Sequence, residues 1–289
     1  MPNLVKRVAA IHDMSGVGRV SLTAVIPVLS AMGIQTCPLP TAILSSHTQY
    51  PHFSFIDLTD NMVSMINEWK ALDLRFDAIY SGYLGSTRQI EILENFLKDF
   101  RREDTLVVVD PVLGDNGKLY ATFDETMIKG MQQLVRSADV ITPNLTEAFA
   151  LLDRPYKTEI TTDELKATLR DLAKMGPKTV IITSVPIEGD EQHTSVCAYD
   201  TETDRFWRVI CQYMPAHYPG TGDTFTSVLT GALLQGDSLP MAIDRAAQFI
   251  LQGIRATFGY KYDNRDGILL ERVLPALEDT RKTSTYEWF

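Results

Sequence analysis

The sequence predicts an α/β protein: a mostly parallel central sheet with helices on both faces and a small edge hairpin. Three observations carry that expectation. Short β-branched runs alternate with longer amphipathic segments, as βαβ units require. The runs Leu106–Val109 and Val180–Ile182 are apolar throughout, the pattern of strands covered on both faces. No repeat, low-complexity linker or compositional break divides the chain, so residues 1–289 read as a single domain.

The elements follow in order. Strands are expected at Val5–His12, Gly33–Leu39, Asp77–Ser81, Leu106–Val109, Asp139–Thr142 and Thr179–Thr183, where β-branched and aliphatic residues cluster. Between them, apolar residues recur at helical spacing in Ser21–Met32, Leu58–Trp69, Thr87–Phe100, Glu125–Val135, Thr146–Leu152 and Asp163–Lys174. Ser195–Tyr199 and Arg205–Ile210 flank Thr201-Glu-Thr-Asp204 and read as the hairpin. Two longer helices, Thr221–Gln235 and Leu239–Phe258, close the core, followed by a short one near Glu271–Leu277.

The 289 residues carry 27 Lys+Arg against 37 Asp+Glu, a formal net charge of −10. That balance speaks against a nucleic-acid surface, which needs a surplus of basic residues. It leaves room for small phosphate ligands held by backbone amides and a metal ion. The three cysteines (Cys37, Cys197, Cys211) lack CxxC spacing, so neither a disulfide framework nor a zinc site is expected, and a reducing cytoplasm is the default. No basic-apolar-small signal opens the chain. From Val20 to Ile56 no Asp, Glu, Lys or Arg occurs, which raises the question of a membrane span. Pro27, Pro38, Pro40, His47 and Gln49 interrupt it, so a buried helix and strand followed by an uncharged polar loop is the better reading.

In open α/β sheets ligands bind beyond the carboxyl ends of the strands, so motifs at strand exits matter most. The first strand leads into His12-Asp-Met-Ser-Gly16-Val-Gly18-Arg-Val-Ser21. A dinucleotide fingerprint would place Gly at Ser21 and an acid some 20 residues on; after Asp13 the next acid is Asp57, so that reading fails and a turn or a substrate-contact loop remains. Gly220-Thr221-Gly222-Asp223 stands at a helix start, where converging amides favour negative charge, with a carboxylate beside them suited to act as a base. Ordinary capping explains the same residues equally well. No Gly-Lys-Ser/Thr triplet occurs, and Thr179–Tyr260 has no lysine. Asp110-Pro-Val-Leu-Gly-Asp115 places an acid at a strand end suited to Mg²⁺, or forms a simple turn. Asn144 and Glu147 fit a capping box, which is compatible with water-mediated metal binding. The five histidines show no ligand spacing, and no Gly-x-Ser-x-Gly elbow occurs, so a hydrolase or zinc enzyme is poorly supported.

Together, Ser46-His-Thr-Gln-Tyr50, Ser81-Gly-Tyr-Leu-Gly85, Asp110-Pro-Val-Leu-Gly-Asp-Asn-Gly-Lys-Leu-Tyr120, Ile141-Thr-Pro-Asn-Leu-Thr-Glu147 and Gly220-Thr-Gly-Asp223 resemble pyridoxal kinases of the ribokinase superfamily, in family order and across nearly the whole chain. The resemblance implies a ribokinase-like three-layer α/β/α fold and a homodimer. It implies ATP- and Mg²⁺-dependent phosphorylation of the 5′-hydroxymethyl group of pyridoxal, pyridoxine or pyridoxamine, with no nucleic-acid or membrane partner. It makes Asp223 the base and the amides of Gly220, Thr221 and Gly222 the anion hole. Asp110 and Glu147 face Mg²⁺. Asp115, Asn144, Thr183, Ser184 and Thr221 meet ATP, with Asp115 and Tyr120 in a covering loop. Ser15, Thr48, Tyr83 and Asp223 lie on the substrate side. Leu44 stands where the family usually has Phe, and Ser46 where Asn is common. The first loop partly resembles that of hydroxymethylpyrimidine kinases, so either Asp13 or Ser15 meets the ring. Those kinases usually carry Cys in place of Asp223. A hydroxymethylpyrimidine or other small-alcohol kinase of the same fold, or a non-catalytic nucleotide- or B6-binding protein, is the alternative.

Overall fold

The first strand, β1 (Arg7–Ser15), sends Val8 and Ala10 into one apolar layer and Ala9 and Ile11 into the other, and all four are fully buried. A strand apolar on both sides needs cover on both faces. The computed structural model describes residues 4–120, 123–278 and 285–289 and supplies that cover with helices. After β1 come α1 (Leu22–Ala31), β2 (Gln35–Leu44), β3 (Phe55–Asp57), α2 (Thr59–Ala71), β4 (Ala78–Ser81) and α3 (Thr87–Phe100). Next are β5 (Leu106–Val109), β6 (Gly114–Asp115), β7 (Lys118–Leu119), α4 (Glu125–Val135), β8 (Val140–Ile141), α5 (Leu145–Leu151) and α6 (Thr162–Ala173). The chain closes with β9 (Thr179–Ile187), β10 (Asp190–Asp200), β11 (Arg205–Gln212), α7 (Thr221–Leu234), α8 (Leu239–Thr257), α9 (Leu270–Val273) and β12 (Tyr286–Trp288).

The main sheet runs β12-β11-β10-β9-β8-β5-β4-β1-β2-β3. The six strands from β9 to β2 are mutually parallel; β3 at one edge and β10–β12 at the other are antiparallel. One face is covered by α1, α7, α8 and α9, through Leu22, Val28, Phe225, Leu229, Ile243 and Leu270; Phe96, Met131 and Leu169 belong to the opposite layer. Each such side chain stabilises the fold by roughly 1.5–3 kcal/mol when fully buried. From β1 the chain first adds β2 on one side and then β4 on the other, so the strand order reverses between β1 and β4. Such a switch point opens a crevice at the carboxyl ends of the strands.

Several expected boundaries change. The first two strands reach Ser15 and Leu44, beyond His12 and Leu39, because parallel pairing resumes past a bulge with Met14 opposite Ile43 and Ser15 opposite Leu44. The expected edge hairpin is there as β10 and β11, and β9 pairs with β10 to extend it to a three-stranded meander that also carries β12. The segment Glu271–Leu277 divides into α9 and a 3₁₀ turn, Leu274–Leu277. The hairpin β6–β7 was not expected as strands; it turns on Asn116 and Gly117, both at positive φ (51° and 74°), as a type I′ turn demands. The charge-free stretch folds as expected into a buried helix and a half-buried strand followed by a loop. No helix among the described residues is long and apolar enough to cross a membrane.

Candidate active site

The carboxyl ends of the parallel strands divide the predicted residues into two groups. Thr183 and Ser184 lie within β9, and Asn144, Glu147 and Asp110 follow the ends of β8 and β5; Ser15 ends β1, and Tyr83 and Thr48 follow β4 and β2. Asp223 stands at the boundary. The Tyr80 hydroxyl on β4 donates to its carbonyl (3.3 Å), and the backbone N–H of Ser21, just after β1, donates to its Oδ2 (2.8 Å). The base candidate thus sits at the strand-order switch.

Asp223 is in the first turn of α7, whose leading amides have no partners within the helix and face outward. Gly220 caps this helix in the left-handed conformation (φ 80°), and a Cβ there would lie 1.9 Å from the carbonyl oxygen of Arg19. No residue but glycine fits. At Gly222 the nearest atom to a notional Cβ is Asp110 Oδ2, at 3.9 Å, so the glycine leaves open the space between the helix start and that acid. Gly220→Ala is expected to cost ~1–3 kcal/mol of stability, from backbone strain alone, and to lower turnover by displacing the amides at the start of α7. Thermal melting and steady-state kinetics of one preparation check both effects.

The Asp223 side chain is 15% exposed and opens into the crevice. Burial pushes its pKa up to about 6, the nearby Asp13 charge adds to this, and the Ser21 N–H opposes it. Asp13 is itself buried and its carboxyl is raised by burial; its Oδ1 accepts from the Ser21 hydroxyl (2.5 Å) and its Oδ2 from the Ser15 hydroxyl (3.3 Å). His12 is fully buried edge-on to Tyr80, with Nδ1 3.9 Å from Asp223 Oδ1. Neither ring nitrogen makes a hydrogen bond of good geometry, and burial lowers its pKa to about 3, which keeps the imidazole neutral.

Asp110 and Glu147 are both buried. Burial raises the Asp110 carboxyl well above its ordinary value, and the charges of Glu147 and Asp223 raise it further. Glu147 is pushed up to about 8 by burial, against the backbone N–H groups that it accepts from. Asn144 N–H donates to Oε2 (2.8 Å) and the Glu147 N–H to Asn144 Oδ1 (3.0 Å), which is the expected capping box, and the Leu113 N–H donates to Oε1 (3.1 Å). Asn144 Nδ2 donates to the Gly114 carbonyl (2.8 Å), fastening α5 to the β6–β7 hairpin. Among the described residues no three His, Cys, Asp or Glu come close enough to enclose a metal. A buried carboxylate pair short of positive charge nevertheless fits Mg²⁺, which takes one or two carboxylates and completes its shell with substrate phosphates and water.

A cleft of about 1720 Å³ begins at Thr221 and Gly222 and runs between α8, β9, β10 and the β6–β7 hairpin. Of the residues expected to meet ATP, Asp115, Thr183, Ser184 and Thr221 line it; Asn144 does not, although it bridges to Thr183 in strand fashion. Ser184 is exposed at φ 55°, beside a break in the β9–β10 register that frees it from the sheet. His217 Nδ1 lies 3.8 Å from Asp115 Oδ2, so the loop before α7 meets the hairpin across the cleft.

Ser15, Thr48 and Tyr83 lie outside this cleft. Ser15 is fully buried with its hydroxyl on Asp13, Thr48 is exposed, and Tyr83 stacks on Phe123 at 5.6 Å. The loop bearing Thr48 is tied across the molecule: His47 Nε2 donates to the Arg265 carbonyl (2.6 Å), and the Tyr50 hydroxyl donates to Asp266. Asp13 was expected only as an alternative to Ser15 at the ring; its bond with Ser21, and the place of His12 beside Asp223, were not predicted. The one sequence signal was Ser21 itself, standing where a dinucleotide fingerprint would have glycine.

A profile of the phosphomethylpyrimidine kinase family matches residues 21–266. A candidate phosphomethylpyrimidine kinase from Bacteroides thetaiotaomicron, solved with pyridoxal, is 64% identical and superposes with a TM-score of 0.96 over 99% of this chain and 100% of its own. The pyridoxal kinase of Lactobacillus plantarum is 33% identical, with a TM-score of 0.86 over 95% and 97% of the two chains. The pyridoxine/pyridoxal/pyridoxamine kinase of Bordetella avium is 30% identical over 86% of this chain and 85% of its own. With its strand order, its helix-start glycines and its paired acids, the chain belongs to the phosphomethylpyrimidine kinase family and stands among the pyridoxal kinases of the ribokinase superfamily.

Proposed function

We propose that this protein phosphorylates the 5′-hydroxymethyl group of a B6 vitamer with ATP, using Asp223 as general base. The observation that carries the reading is Asp223 itself: a partly exposed carboxylate among the leading amides of α7, at the strand-order switch, with one oxygen held and the other open. The alcohol proton would pass to Asp223 as the oxygen attacks the γ-phosphorus in line, and the amides of Gly220, Thr221 and Gly222 would receive the charge on the transferring group. Asp110 and Glu147 would hold Mg²⁺, which when bound offsets the phosphate charge. Asp115, Thr183, Ser184 and Thr221 would face the nucleotide, with Asn144 behind them, and Ser15, Thr48 and Tyr83 the ring side. One catalytic domain is the natural reading of a single continuous sheet.

The free Cys37, Cys197 and Cys211 support a reducing cytoplasm. Phe53, Phe55 and Ile56, exposed along the β3 edge, support a homodimer that covers them. The family's own description, phosphomethylpyrimidine kinase, and the name of one relative, hydroxymethylpyrimidine/phosphomethylpyrimidine kinase, favour a second reading, a hydroxymethylpyrimidine kinase.

One coupled ADP assay with pyridoxal, pyridoxine, pyridoxamine and hydroxymethylpyrimidine decides between them. The expected result is a kcat/KM at least tenfold higher for a B6 vitamer, on the order of one lost hydrogen bond in a specific pocket. No ADP release with any acceptor would leave only a binding protein. Because Asp223 must be ionised to accept a proton, kcat is expected to fall about tenfold per pH unit below a midpoint near 6.

A further inference from the structure

We propose that Asp13 and Ser21 form a brace that positions the Asp223 carboxylate, with Ser21 as the positioning residue and Asp13 as its anchor. The inference rests on Asp223 being the base. Ser21 adopts φ 48° and ψ −134°, a conformation that L-residues rarely take. In that conformation its backbone N–H donates to Asp223 Oδ2 at 2.8 Å.

Ser21 is also the N-cap residue of α1, a position where serine normally accepts from the amides of the first turn. Here it makes no such bond. Its hydroxyl donates instead to Asp13 Oδ1 at 2.5 Å, while Asp13 Oδ2 accepts from Ser15 at 3.3 Å. The helix thus forgoes its cap, at a residue in an unfavourable conformation, and the hydroxyl's bond goes to a buried carboxylate instead. What the arrangement does achieve is direction: the buried carboxylate fixes the hydroxyl, and the hydroxyl fixes the peptide plane. The N–H of that plane then holds one oxygen of Asp223 and leaves Oδ1 for the substrate alcohol.

The brace also accounts for Asp13 lying near a second acid, a placement otherwise unfavourable to both. Ser21 stands between them, its hydroxyl toward one and its N–H toward the other.

Steady-state kinetics with pyridoxal and ATP-Mg²⁺ test the proposal on Ser21→Ala, Asp13→Leu, Asp13→Asn and Asp223→Asn. Ser21→Ala and Asp13→Leu are expected to lower kcat on the order of 10- to 100-fold, the effect of a misdirected catalytic group, with KM for ATP unchanged. Asp13→Asn is expected to stay within a few-fold of the parent, because an amide oxygen still accepts the Ser21 hydroxyl. Parental kcat in Ser21→Ala beside an inactive Asp223→Asn overturns the brace and leaves the base intact. Asp13→Asn as slow as Asp13→Leu also overturns it, since the tie alone would then be insufficient. So does a raised KM for pyridoxal at unchanged kcat in Asp13→Leu, which would make Asp13 a ring contact. Parental turnover in Asp223→Asn removes the base reading, and the brace with it. Where Asp13→Leu does not fold, Ser21→Ala against Asp13→Asn supplies the same comparison.

Discussion

Asp223→Asn is expected to reduce kcat with the best acceptor on the order of 10²- to 10⁴-fold, the usual contribution of a general base. The substitution keeps the size of the side chain but removes its capacity to take the alcohol proton. The amides at the start of α7 remain, so turnover should stay above the uncatalysed rate, and KM for ATP should change little. The acid limb near pH 6 should vanish with the carboxylate that produces it. A pH–rate profile of the variant checks this, and a residual limb at the same midpoint would assign the titration to another group.

Asp110→Asn is expected to move stability and activity in opposite directions. In the metal-free protein Asp110 is a buried acid whose charge is opposed by burial and by Glu147 and Asp223. Its folded-state pKa lies above the unfolded one, as does that of Glu147 at about 8. Proton binding therefore favours the fold. The associated stability is complete below the ordinary carboxylate range and is lost as pH rises toward 8. Asparagine removes one of the opposed charges, so at pH 8 without divalent cations Tm should rise by ~2–4 °C for each kcal/mol gained. Turnover should fall at least ~100-fold, because a charged partner for the phosphate-bearing cation is lost. Adding Mg²⁺ should raise the parental Tm more than that of the variant. Melting curves at pH 5 and pH 8, with and without Mg²⁺, check the pattern; equal Tm at both pH values would dissociate these acids from the stability of the fold.

Much of the scaffold was legible in the sequence because local chemistry decides it. Leu106–Val109 is apolar on both faces and became a central strand; Asn144 and Glu147 have capping-box spacing and form one. Asn116-Gly117 carried a hairpin signal too, and only the shortness of β6 and β7 concealed it. The strand ends were illegible, since β1 reaches Ser15 only because β2 pairs with it beyond a bulge. Within the site, the residues at strand exits and at the helix start were readable from their motifs. His12 and Ser21 were not, because what they face is Asp223, placed there by tertiary packing; Asp13 was readable only as an alternative to Ser15 at the ring. Ser15 was readable from its loop, whereas the bond of its hydroxyl to Asp13 was not.

The bond from Ser21 to Asp223 spans 202 residues, and this has a consequence in time as well as in space. A ribosome adding ~5–20 residues per second completes β1 long before it reaches α7. During that interval Tyr80 and Ala10 belong to a sheet face that Phe225 and Leu229 have yet to cover. The growing chain therefore carries Asp110, Glu147 and the loop after β2 well before Asp223 is made. The two sides of the crevice meet only once α7 docks, so a translation product interrupted before α7 lacks the bond that joins them.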